Sequence, residues 1–296
     1  MQAALLSDRS VVKVDGPDAR RFLNGLLTTE IETLTPETPR FAALLTPQGK
    51  ILFDGIVVAV PPSDGTALFI DCPRALAADL VRRLNFYKLR AKVIVEDLSE
   101  TLGVLAAWDG TGNTEYGLVY PDPRLPALGL RVMLPPHLAA SAATDLGATL
   151  ADAEAYEAHR IALGVPRGGV DFAYGDAFPH EADMDQLNGV DFHKGCYVGQ
   201  EVVSRIEHRA RARSRIVPVA YEEFAPEDGI PVMAGERAVG TMGSAAGGRG
   251  LAMLRLDRVG EELAAGATLS AGGVALRLVK PAWARFAWPG EATAAE

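Results

Sequence analysis

The chain has 296 residues, 48% of them hydrophobic and 23% charged, with a formal net charge of −9. That length exceeds what one hydrophobic core usually serves, so two or three domains are expected, and the acidic balance argues against a general nucleic-acid binder, which needs a net basic face. No apolar run approaches the roughly 18 residues of a membrane span, and two cysteines without metal-type spacing argue against a disulfide scaffold and for a reducing compartment.

At the amino terminus, MQAALLSDRSVVKVDG places Asp8 and Arg9 directly after a short apolar patch. It has neither a basic leader with a long apolar run nor an Arg-rich, acid-free presequence, so a cytoplasmic protein with no membrane partner is expected. SVVKVDGPDARRFLNGLLTTEIETL predicts a strand through Val14 and a turn at Asp15-Gly16-Pro17. A helix follows, with Pro17 in its first turn and Phe22, Leu23, Leu26 and Leu27 at helical spacing. FAALLTPQGKILFDGIVVAV predicts two strands around the hairpin-type turn Pro47-Gln48-Gly49-Lys50, and TALFIDC a third. RALAADLVRRLNFYKLR reads as an amphipathic helix and AKVIVEDLS as a strand. Helix, strand, strand, strand, helix, strand is the order of an α+β unit with helices on an antiparallel sheet. No glycine fingerprint of a Rossmann domain follows the first strand.

Residues 109–126 are loop-rich, LGLRVML resumes a strand, and the Ala-rich segment from Leu138 to Leu163 reads as two helices broken near Gly147. GVPRGGVDFAYGDAFPHEADMDQLNGVDF is long, rich in Gly and Pro and weakly periodic, the texture of a functional or disordered loop, and its aromatic residues favour function. From Ile216 onward, short β segments divided by Gly and Asp turns predict a small barrel or sandwich, with a domain boundary near Arg215. Ala245 to Gly250 reads as a hairpin loop rather than a phosphate cradle, since no helix follows it directly.

The chemistry concentrates in HKGCYVGQE. Cys196 lies between Gly195 and Gly199, which let backbone approach closely, and beside Lys194 and His193, whose positive charge favours thiolate over thiol. A buried structural cysteine is the alternative, and Cys72, ending the apolar strand ALFIDC, fits that description better. One cysteine cannot hold an iron–sulfur cluster or a structural zinc alone, so any metal centre at Cys196 needs ligands from a partner; no resident metal is expected. A Cys-His nucleophile using His193, His180, His159 or His208 is a further reading. Arg209, Arg211, Arg213 and Arg215 alternate in RARARSR, which on a strand would put four guanidiniums on one face, for an anion or simply for solvent. Tyr156 and Arg160 are four apart on a predicted helix, where a flat ring with an acidic tail would meet both.

The run YEAHRIALGVPRGGVDF…FPHEADMDQLNGVDFHKGCYVGQE is similar to the signature region of the YgfZ family, folate-binding proteins of iron–sulfur cluster maintenance. That family is related in fold to the aminomethyltransferase (T-protein) of the glycine cleavage system. RFLNGLLTTEI, LLTPQGKILFD and LNFYKLRAKVIVED extend the resemblance over most of residues 10 to 215. It implies an α+β, T-protein-like fold of three subdomains in a ring: a folate-binding region over 1–215 with a ferredoxin-like insertion at about 41–108, and a C-terminal β-barrel over 216–296. Tetrahydrofolate is the implied cofactor, and iron–sulfur proteins or cluster carriers are the implied partners.

Asp54 matches the second of the transferase's paired aspartates, while Phe53 stands at the first and Arg131 where the pterin-gripping carboxylate is expected. A buried pterin still needs acceptors, because each unpaired donor costs about 1 to 3 kcal/mol. Glu181 and Asp183 are the candidates, with Tyr156 to stack on the ring and Arg160 and Arg209 to meet the glutamate tail. Cys196 and Lys194 are the candidate catalytic residues. The leading expectation is a tetrahydrofolate-binding accessory factor for assembly or repair of iron–sulfur proteins, acting through Cys196 and not a conventional enzyme. The alternative is a folate-dependent aminomethyltransferase or demethylase, and a thiol hydrolase is a third reading.

Overall fold

A computed structural model describes residues 1–61, 63, 65–209 and 212–290, with the backbone alone at Arg209. The chain divides into two compact units. Met1–Tyr156 with Leu187–Gln200 form the first, and Glu157–Gln186 with the chain from Glu201 onward form the second.

The first unit holds β1 (Gln2–Leu6), β2 (Arg9–Asp15), α1 (Ala19–Asn24), β3 (Arg40–Leu45), β4 (Ile51–Ala59), β5 (Leu68–Pro73), α2 (Ala77–Lys88), β6 (Ile94–Asp97), β7 (Gly103–Trp108), β8 (Leu118–Pro121), β9 (Leu130–Leu134), α3 (Ala139–Asp145) and β10 (Thr149–Leu150). One sheet runs β3-β4-β5-β2-β6, antiparallel throughout. The apolar faces of α1 and α2, through Leu23, Leu80 and Leu84, cover Val12, Val14, Leu44, Val57, Leu68 and Ile70 of that sheet. The 3.6-residue repeat of α2 thus meets the two-residue repeat of the strands, which is why both patterns are legible in sequence. The second sheet runs β10-β1-β7-β9-β8. Ala139, Ala142 and Ala143 of α3 pack on Leu105, Val132 and Leu134. β7, GVLAAW, is buried on both faces, so it lacks the alternation of a half-exposed strand.

The expected insertion at 41–108 does not separate from its surroundings. β2 lies between β5 and β6, hydrogen-bonded to both, so residues 9–15 complete the sheet, while β7 joins the other one. The Ala-rich segment breaks as expected at Gly147, whose φ of +67° suits a residue without Cβ; α4 (Ala153–Ala162) follows β10.

The second unit contains α5 (Gln200–Arg209) from Glu201 on, then β11 (Ser214–Ala220), β12 (Pro231–Ala234), β13 (Arg237–Ala246), β14 (Arg249–Arg255), α6 (Leu256–Ala264), β15 (Leu269–Ala271) and β16 (Val274–Leu278). The strands close a six-stranded barrel in the order β11-β14-β13-β12-β15-β16, sealed by Val219 opposite Leu278. Val217, Val219, Val232, Val239, Ala252 and Leu254 fill it, and Leu256 and Val259 of α6 pack on the same core. The barrel begins where the change of texture near Arg215 places it, although the compact unit around it also takes in Glu157–Gln186. Among the described residues no helix is long and apolar enough to cross a membrane.

Candidate functional site

Cys196 is exposed, on a segment of the first unit pinned on either side. Before it, the backbone N–H of Asp191 donates to the carbonyl of Thr28 (2.9 Å), and the Thr28 hydroxyl donates to the carbonyl of Gly189 (2.6 Å) while accepting from the Ala43 N–H (2.9 Å). Lys194 is buried, and its ammonium donates to the carbonyls of Asn24 (2.7 Å), Leu27 (2.7 Å) and Thr29 (2.8 Å). Three acceptors take all three of its N–H groups. After Cys196, Gly199 has φ +83°, and a Cβ there would lie 2.6 Å from the carbonyl oxygen of Thr46 and 3.1 Å from the Cα of Gly49. The β3–β4 turn therefore packs directly on the Gly199 backbone, which no other residue permits. The thiol is presented between two fixed points.

Burial pulls the Lys194 ammonium down to about 8, with Glu30, Asp191 and Glu32 partly offsetting it. Its Nζ sits 5.4 Å from the centre of the Tyr197 ring. Burial pushes the Tyr197 hydroxyl up to about 12, so it stays a neutral phenol. Cys72 is buried in β5, and burial pushes its thiol up to about 12, the state of an inert structural cysteine. Among the described residues no hydrogen bond joins Cys196 to a histidine, and no group of three ligand-type side chains includes Cys196.

The first unit also buries a charge network. Asp71 accepts from Arg9 Nε (2.7 Å), Arg131 Nη1 (2.7 Å) and the Tyr120 hydroxyl (2.9 Å). Arg131 Nε continues to Asp122 (2.8 Å), which also accepts from Arg124 Nε (2.9 Å). Burial alone pushes Asp71 up, but the two guanidiniums outweigh it and hold the carboxyl below its usual value. Arg131 therefore sits where it neutralises carboxylates. Tyr156 is drawn into the same network: its hydroxyl accepts from Arg131 Nη2 (3.0 Å), and its buried ring meets Trp108 edge-on at 5.6 Å. Asp54, half-buried on β4 opposite Ala43, borders a narrow cleft with Leu27, Leu80 and Leu84.

The other candidates lie in the second unit, so the six expected folate contacts do not gather within either one. Arg160 is buried and spends every N–H: Nε on Glu157 (3.1 Å), Nη1 on Asp171 (2.9 Å) and the Val165 carbonyl, Nη2 on Glu157 (2.8 Å) and Ser244 (2.9 Å). No donor remains for a folate tail. Glu181 accepts from the Phe178 N–H (2.8 Å) and lines a cavity of about 410 Å³ with Phe172, Asp176 and Met253. Asp183 is fully buried at φ +55°, with Oδ1 2.9 Å from Arg215 Nη1 and no hydrogen-bond partner for Oδ2 among the described residues. Burial pushes it well above the usual carboxylate range despite Arg215.

The alternating arginines do not share a strand face. Arg209 ends α5 with its side chain outside the described residues, Arg211 is also outside them, Arg213 is exposed, and Arg215 is buried against Asp183 and Asp185. The helix consumes the start of the run, and only Ser214 onward is extended. His180, Asp185 and Glu207 offer ligand atoms within 4.8 Å of one another. Asp185 is already bidentate to Arg215, so a cation there would have to displace a guanidinium.

Sequence reasoning missed the Asp71–Arg131–Asp122 network and the anchoring of Lys194. Asp71 in ALFIDC and Arg131 in LGLRVML were the signal, since a single charge inside an apolar strand must find a partner.

An α+β chain closing in a six-stranded barrel, with one exposed thiol on a clamped loop, has an aminomethyltransferase-type fold. Its overall fold matches aminomethyltransferase T of the glycine cleavage system from Bartonella henselae with a TM-score of 0.73 at 15% identity, over 97% of this chain and 87% of that one. Residues 213–286 match the family described as "CAF17, C-terminal beta-barrel domain". The mouse protein named "Iron-sulfur cluster assembly factor IBA57, mitochondrial" is 32% identical over 96% of this chain and 84% of its own length, and the human one 30% over the same shares. This chain belongs to the CAF17/IBA57/YgfZ family of iron–sulfur cluster assembly factors. A Neurospora crassa IBA57 homologue is 35% identical over 75% of this chain, and the match spans only 54% of that relative's length. These relatives are named as mitochondrial, which overturns the expectation of a cytoplasmic protein. That expectation rested on the amino-terminal composition and on the scarcity of cysteines.

Proposed function

We propose that this protein assists the assembly of iron–sulfur clusters in other proteins, with the Cys196 thiolate supplying one ligand to a cluster whose remaining ligands come from the partner. The observation that carries this is the exposed Cys196, held between the Lys194 anchor and the Gly199 contact. A fixed, accessible thiolate is suited to capture a cluster iron without folding around it, and four-ligand clusters require the partner's share. The names of the relatives support the same assignment. Replacing Cys196 by Ala and measuring the activity of a [4Fe–4S] dehydratase in cells lacking the wild-type protein tests it. Activity is expected to stay at the level of the uncomplemented cells, whereas full recovery with Cys196→Ala would remove the thiol from the function.

Tetrahydrofolate belongs to this reading as a bound ligand, supported by the aminomethyltransferase-type fold. An acceptor for its donors is at hand in Glu181 beside its cavity. The tail needs a cation other than Arg160, whose donors are all committed. Fluorescence quenching of the chain's tryptophans on titration with tetrahydrofolate, in wild type and Cys196→Ala alike, is the expected outcome; no quenching in wild type would remove the ligand. The transferase alternative gains nothing from Arg131, a guanidinium bound to two carboxylates.

A further inference from the structure

The end of α2 and the start of β6 form a ridge in the first unit that the Cys196 loop does not use. Helix α2 turns Ala77, Leu80 and Leu84 to the core. Beyond them Phe86 is 72% exposed, Leu89 90% and Ile94 62%. Leu89 ends the helix at φ 42° and ψ −103°, a positive-φ conformation that a residue with a Cβ adopts at a cost and that glycine would take more freely. Nothing in the packing of the chain explains why a leucine occupies that position with its side chain in water.

Charge singles out the same place. From Arg74 to Lys92 there are six basic residues and one acid, Asp79, in a chain of net charge −9. Arg82, Arg83, Arg90 and Lys92 are exposed in the same stretch of chain as the three apolar side chains, Arg82 paired with Asp79. An apolar centre with a charged rim is the build of a protein interface. Strand β6 pairs with β2 alone among the described strands, so one edge of its backbone lacks a neighbouring strand. A polypeptide can complete that edge, whereas a lipid or a nucleic acid cannot.

The ridge is also tied to the Cys196 loop. Just before α1, the Lys92 N–H donates to Asp18 Oδ2 (2.7 Å); just after it, Lys194 donates to the carbonyls of Asn24 and Leu27. A helix of six residues, about 9 Å long, separates the two anchors. We propose that the Phe86–Leu89–Ile94 ridge, rimmed by Arg83, Arg90 and Lys92, is the docking surface for an acidic iron–sulfur protein that shares its cluster with Cys196. This rests on the role proposed above for Cys196, and it names the surface and charge of the partner.

The probe is an acidic [2Fe–2S] ferredoxin, titrated calorimetrically against the full chain. Binding is expected to weaken at least about tenfold between about 0.05 M and 0.5 M salt. Arg83→Glu with Arg90→Glu is expected to weaken it at least about tenfold at low salt. Leu89→Gly is expected to weaken binding while raising the melting temperature, a pair of opposite changes that loss of folding cannot produce. Ridge variants that bind like wild type, or a wild-type chain that does not bind the ferredoxin, would overturn the docking surface and leave the cellular test of Cys196 standing. Should the ridge variants instead dissolve a dimer seen by light scattering, or fail to bind cardiolipin-containing vesicles that wild type binds, with ferredoxin binding unchanged, the surface would belong to self-association or to a membrane. Failure of Cys196→Ala in cells, together with weakened ferredoxin binding by the ridge variants, is the result expected if both hold.

Discussion

The ammonium of Lys194 lies 2.7 Å from the carbonyl oxygen of Leu27, one of three backbone carbonyls that converge on it just after α1. The lysine two residues before the exposed thiol is therefore a clamp for the loop. Lys194→Met is expected to leave three carbonyls without their donor and to cost about 2 to 4 kcal/mol in denaturant unfolding. Lys194→Arg is expected to rescue little, because a planar fork cannot aim at three converging acceptors. Unchanged stability in Lys194→Met would remove the clamp.

The same lysine carries a pH signature. Its folded value, about 8, lies below the ordinary 10.5, so between these the unfolded chain binds more protons than the folded one. The stability of wild type relative to Lys194→Met is thus expected to rise as pH increases from about 8 to 10.5. Urea titrations at three pH values in that window would measure it, and a difference that falls with pH would contradict the burial argument.

Asp71 behaves in the opposite sense. Its carboxyl is held below its usual value, so the stability it confers is present above 3.8 and is lost as pH falls through the folded value. Asp71→Asn strands Arg9 and Arg131 in the interior and is expected to cost about 3 to 5 kcal/mol near neutral pH. The variant's stability should respond less to acid than that of wild type, by thermal unfolding at pH 3 and pH 7.

Asp183 is pushed well above the carboxylate range, so any stability from its neutral form is present below 3.8 and lost as pH rises through the folded value. Asp183→Asn keeps an oxygen for Arg215 and is expected to melt above wild type at pH 8, with the advantage gone at pH 3. Lower stability at both pH values would show that the ion pair to Arg215 outweighs burial.

The two cysteines should separate cleanly under alkylation. Iodoacetamide is expected to add one group to the native chain, at Cys196, and a second, at Cys72, only after denaturation. Peptide mass spectrometry would read both positions.

Most of the fold was legible because its longer helices bury one face and its apolar strands are separated by clear turns. The repeat in RALAADLVRRLNFYKLR predicts α2, and the short β segments between Gly and Asp turns after Ile216 predict the barrel. Sheet membership was not legible, since nothing local tells β2 to insert between β5 and β6. At the site, the exposure of Cys196 followed from its glycine neighbours, and the burial of Cys72 from its apolar strand. The alternation RARARSR misled, because a period of two in arginines carries no burial information and the end of α5 overrode it. Tyr156 and Arg160 were read as a stacking ring with a free cation, but both side chains are buried, so each must satisfy its polar atoms within the chain, and each does.

The most direct test is the visible circular dichroism of a [2Fe–2S]-loaded carrier mixed anaerobically with this protein, in wild type and Cys196→Ser. A cluster spectrum that shifts with one equivalent of wild type and stays unchanged with Cys196→Ser is the predicted result. An identical shift with both would mean that the Cys196 sulfur never reaches the cluster.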